Sequence, residues 1–152
     1  MRLFWGIWIF AAVIIGFTST RSTAGVSDIR GAWRAETYNL KNGVQHQVKG
    51  LIFFTEKDWT VLFFVMGDDA RPKRGWGEGG TYTFDGEHLV FTHRYLLSAG
   101  QEVGAPSESP LQMEVHGEGD EATEPCRALL GGDSMTIYFP SGNNMTFQRS
   151  SR

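Results

Sequence analysis

The chain holds one cysteine, Cys126, in 152 residues. A single thiol closes no internal disulfide, so the core alone must hold the fold, although small exported domains often lean on cross-links. Cys126 lies in Pro125-Cys126-Arg127-Ala128 with no histidine beside it in sequence. It reads as a small buried hydrophobe rather than an activated nucleophile. Helix signals are nearly absent. No stretch of a dozen residues carries apolar positions at i, i+3, i+4 and i+7, which excludes a helical bundle. Extended basic stretches are missing too: Lys49, Arg71, Lys73 and Arg74 form none. With a net charge of −3, this argues against nucleic acid or an anionic membrane as partner. The four histidines, His46, His88, His93 and His116, form no His-x-His or His-x₃-His pair, so no zinc site has local spacing behind it. The acidic run Glu118, Asp120, Glu121, Glu124 lacks the spacing of an EF-hand loop and reads as a solvated loop. No Gly-x-Ser-x-Gly elbow is present. No catalytic residue, metal or cofactor is expected.

The N-terminus carries Met1, Arg2 and then an apolar run from Leu3 to Phe17. One positive charge, a short apolar segment and a small-residue exit are the grammar of a secretory signal. Ser22-Thr23-Ala24 places small residues where signal peptidase reads them, so cleavage is expected after Ala24 and residues 1–24 form the signal peptide. An uncleaved anchor would need roughly 20 apolar residues, more than this run offers. A lipid anchor would need a cysteine at the exit, and Cys126 is far from it. The protein is therefore expected to be secreted or periplasmic, with no membrane contact after cleavage. Loss of Arg2 and Arg21 takes the net charge from −3 to −5. Residues 25–152 suit a single domain with a modest core.

What fills that domain is a succession of short β-rich runs separated by Gly, Asp, Asn and Pro. The 19 glycines exceed the usual share of about 7 % and fit many tight turns. Expected strands run Ala32 to Leu40, Gln47 to Thr55, Trp59 to Met66, Gly77 to Phe84 and His88 to Leu97. Asp85-Gly86 is the strongest hairpin signal. Ser98 to Pro110 reads as a long loop, followed by strands Leu111 to His116, Cys126 to Leu130, Ser134 to Phe139 and Asn144 to Arg149. Eight to nine antiparallel strands joined mostly by hairpins must hide their edges, and closure into a barrel does so completely.

Period-two alternation assigns the faces. Leu111, Met113 and Val115 share one face and are expected inside, as are Met135, Ile137 and Phe139, and Met145 and Phe147. Leu51 to Phe54 and Val61 to Met66 are apolar on both faces. Their outer side should be covered by a loop, a short helix or a second subunit, so a homodimer through the Leu51–Met66 hairpin is one expectation.

Gly31-Ala32-Trp33 opens the first strand and Arg149 ends the last, with the parity of Met145 and Phe147. Together they resemble the lipocalin and wider calycin pattern. There a Gly-x-Trp begins the barrel, and an Arg from the last strand packs over the Trp at the closed end. The resemblance spans about residues 29 to 150. It departs from the classical members in lacking a Thr-Asp-Tyr motif, a disulfide and a C-terminal helix, so the chain looks like the short bacterial lipocalin-like domains. It implies a barrel closed at one end by Gly31, Trp33 and Arg149, with a small apolar or amphipathic ligand inside.

Candidate ligand-binding residues follow from composition and parity. Phe54 and Phe63 belong to the second and third strands, Trp76 immediately precedes the fourth and Tyr82 lies in it; Phe91, His93 and Tyr95 belong to the fifth. Trp33, Phe84 and Phe147 join them in the interior. These rings either line a pocket or fill the barrel, since eight strands are only just wide enough for their own side chains. The filled barrel is the alternative function: a structural or interaction protein without ligand. His93 is expected to be satisfied by Tyr95 or by a carboxylate such as Glu78. Its second role is contact with a ligand or with haem iron, as in some calycin-like barrels, and a haem- or metal-binding calycin-like barrel is the further alternative for the whole domain.

Overall fold

The computed structural model describes residues 28–150 except Pro106. The expected signal peptide and its cleavage site lie outside the described residues. Among these there is no helix and there are nine strands: β1 (Gly31–Asn39), β2 (Gln45–Phe54), β3 (Asp58–Met66), β4 (Pro72–Phe84), β5 (His88–Gln101), β6 (Glu108–Val115), β7 (Ala122–Gly131), β8 (Ser134–Tyr138) and β9 (Asn144–Arg149). All pairings are antiparallel. The ladder runs β4-β3-β2-β1-β9-β8-β7-β5, and β4 also pairs β5, which closes eight strands into a barrel. The ninth strand, β6, stands outside the ring.

The position of β6 follows from the length of β5. Residues 88–93 of β5 pair β7, while residues 95–101 pair β6. The second half of β5 therefore leaves the barrel wall on that side, and β6 hangs from it as an extra strand. Leu111, Met113 and Val115, expected inside, are 59 %, 71 % and 80 % exposed. They keep the alternation, but no second sheet faces them. The loop expected over Ser98 to Pro110 shrinks to residues 102–107, because both flanking strands extend into it. β4 likewise starts at Pro72 and β7 at Ala122, inside segments that read as polar loops.

Two ends differ in how they are filled. At one end, the turns after β2, β4 and β7 surround a solid core in which Trp33, Leu89, Met135 and Ile137 are fully buried. Phe54 meets the Tyr82 ring at 5.0 Å, edge to face, and Tyr82 Oη donates to the Thr55 carbonyl at 2.7 Å. Gly31, Trp33 and Arg149 close this end. The Arg149 guanidinium lies 4.0 Å from the Trp33 ring centre, where cation–π attraction replaces lost hydration. Its two Nη groups donate to the carbonyls of Arg30 (3.0 Å) and Asp28 (2.8 Å), and Trp33 Nε1 donates to Ile29 O at 2.8 Å. Gly31 has φ +117°, and a Cβ there would stand 3.3 Å from Arg149 Nη1. Glycine fits both the backbone and the arginine above it.

The outer face of β2 to β4 is uncovered. Phe53, Leu62 and Phe64 are exposed, and on β4 the outward positions opposite β3 are Gly75, Gly77 and Gly79. No loop or helix among the described residues lies over them.

Candidate functional site

The end of the barrel away from Trp33 is hollow. A cavity of about 790 Å³ opens there. Its floor includes buried Ile52, Phe91, Ile137 and Met145, and its rim includes exposed Pro140 and Ser141. The wall is aromatic on one side. Phe63 and Trp76 stack nearly parallel, 6.3 Å apart, and Trp59 tilts against Phe91 at 4.2 Å.

Two irregularities in the ladders decide which side chains reach this space. Between Gly79 and Gly80 the β4–β5 register slips: Gly79 faces Tyr95 and Gly80 faces His93, so Arg94 is the extra residue. Beyond it the parity of β5 inverts. Tyr95, expected inside, points outward and is 56 % exposed, while Leu96 lines the cavity in its place. Gly80 permits the bulge: a Cβ there would lie 1.9 Å from the Thr92 carbonyl oxygen. On β1, Glu36 is the extra residue opposite β9. Trp33 and Ala35 point inward before it, and Tyr38 lines the cavity after it.

Of the candidate ligand-binding residues, Phe63, Trp76, Phe91 and His93 line the cavity. Phe54 and Tyr82 belong to the solid end, and Tyr95 is outside. Tyr38, Trp59, Leu96 and Glu124 line it as well. Trp59 was legible from its alternation with Val61 and Phe63. Glu124 was hidden because its segment reads as a solvated acidic loop, whereas β7 begins before it.

The polar group at the centre is His93. Its Nδ1 lies 3.5 Å from Glu78 Oε2 and its Nε2 lies 3.6 Å from Glu124 Oε2, which is charge-pair rather than close hydrogen-bond range. Glu124 and then Glu78 raise the imidazole to about 9 against the opposing effect of burial. The ring is thus cationic at neutral pH. Glu78 fulfils the expected carboxylate contact, and Tyr95 takes no part. A haem-bound imidazole needs one neutral ring nitrogen free for iron. Here both nitrogens face carboxylates, so these residues do not fit a haem.

Cys126 is buried beside this cluster, and burial, followed by the charge of Glu124, pushes its thiol up to about 12. Almost no thiolate exists at neutral pH, as suits a packing role. Among the described residues no group of three His, Cys, Asp or Glu side chains is arranged to hold a metal ion.

The β5–β6 loop crosses the mouth. Val103 packs on the core and lines the cavity. Arg74, almost wholly buried, anchors the loop by donating from Nη1 to Glu102 Oε1 at 3.1 Å, with its guanidinium 4.6 Å from the Trp76 ring centre. Glu102 also accepts from Ser109 Oγ.

Compared with family models, curated proteins and solved structures, the chain matches none.

Proposed function

We propose that this protein is an exported, non-catalytic carrier of the lipocalin-like kind, secreted or periplasmic, which holds a small apolar or amphipathic molecule in the open half of its barrel. The observation that carries the reading is the cavity of about 790 Å³ with stacked aromatic rings on its wall. Small-molecule sites span roughly 300–1,000 Å³, are mainly apolar, and place a few polar groups to fix orientation. The contact between Arg149 and Trp33 at the closed end supports the resemblance drawn from sequence. Titration with alkyl and aromatic probes should change the fluorescence of Trp59 and Trp76 saturably. The absence of a saturable change across alkyl chains, retinoids and fused-ring probes overturns the carrier reading.

A second reading is favoured by the uncovered apolar face of β2 to β4, where Leu62 is 52 % exposed. Contiguous exposed apolar surface of this kind marks association sites, and a second copy of this chain is the partner proposed for the Leu51–Met66 hairpin. Sedimentation should give a dimer that Leu62→Lys dissociates. A strict monomer at high protein concentration removes this reading.

A further inference from the structure

The charges inside the cavity do not balance. Glu102 is matched by Arg74 (3.1 Å), and on the rim His116 stands 3.2 Å from Glu114. Arg94 is engaged with Glu121 at 3.2 Å. That leaves Glu78 and Glu124 sharing one imidazole, His93. One imidazolium neutralises one carboxylate, so the inner cavity keeps an excess of one negative charge between aromatic walls. The two carboxylates are only partly exposed, 19 % and 34 %, and a partly desolvated carboxylate without a full counter-charge is unfavourable. A second cation placed beside it is therefore favoured.

Trp59 is buried and lines the cavity beside this cluster, with its ring centre 5.3 Å from the His93 ring. The ring offers apolar and π surface there.

We propose that the cavity selects a lipophilic amine, its ammonium group set against Glu78 and Glu124 and its chain against Phe63, Trp76 and Phe91. The inference rests on the carrier reading and narrows it to one ligand class. Ammonium also gains from the aromatic faces around it. An alkyl carboxylate of the same length meets the same two glutamates and is repelled.

Calorimetric titration at neutral pH with octylamine, 1-octanol and octanoate tests the charge. Octylamine should bind at least tenfold more tightly than 1-octanol, and octanoate most weakly. Glu78→Gln combined with Glu124→Gln should bring octylamine down to the affinity of 1-octanol, with an unchanged far-UV circular dichroism spectrum and a cooperative melt showing that the variant is folded. Equal affinity for amine and alcohol, or tighter binding of octanoate, overturns the amine assignment and leaves the carrier reading in place. Retention of the amine preference in the double glutamine variant also overturns it. No heat with any of the probes, together with no saturable fluorescence change, removes the carrier reading itself.

Discussion

Arg149 performs three tasks with one planar group: it covers Trp33 and donates to two carbonyls of the segment before β1. Arg149→Ala should therefore destabilise the protein by about 1–3 kcal/mol in chemical denaturation. Arg149→Lys should recover only part, because an ammonium cannot stack and donate in two directions at once. Melting like the parent would show that the closed end holds without it. Gly31→Ala strikes the same place from below, through a positive φ and a 3.3 Å approach to the guanidinium; a loss of about 1–2 kcal/mol is expected. His93 gives a pH signature. Its folded value of about 9 stands above its ordinary 6.5, so its stabilising effect is complete below pH 6.5. It disappears as the pH climbs towards 9. The melting temperature should fall over that window, and His93→Gln should flatten the fall. An imidazole that titrates near 6.5 by NMR would contradict the assignment.

At the scale of elements, the bulge in β5 has the largest consequence. Strand membership of residues 88–97 was legible from their composition and from the Asp85-Gly86 turn. The inversion of parity after His93 was not, because alternation says nothing about an extra residue. Its cause lies across the ladder, where Gly80 on β4 lets β5 press close. Gly80→Ala should either unfold the β4–β5 ladder or lose well over 1 kcal/mol, since the added methyl meets the Thr92 carbonyl. The neighbouring β6 gives the opposite result. Met113 alternates like a core residue yet is exposed, so Met113→Lys should change stability by less than about 0.5 kcal/mol. Met135→Lys, at a fully buried site on β8, should prevent folding. Equal effects at the two positions would mean that β6 packs against something in solution.

For the whole molecule, one end is packed and the other hollow, and the two should respond separately. Ala122 lines the cavity at an exposed position. Ala122→Trp should obstruct it, weakening probe binding at least tenfold while shifting stability by less than about 1 kcal/mol; unchanged binding would place the ligand elsewhere. The sequence by itself determined the all-β class, most of the strand positions, the hairpin order and the pairing of Trp33 with Arg149. These depend on local alternation, turn residues and the requirement that the first and last strands of a closed barrel meet. Only the tertiary structure decided that β6 leaves the ring, that Tyr95 faces out while Leu96 and Tyr38 face in, and that Glu124 joins Glu78 at His93. Each of these depends on how far neighbouring strands slide past one another and where a bulge absorbs the slip. That is fixed by close packing between residues distant in the chain, where a glycine matters only because of the strand lying against it.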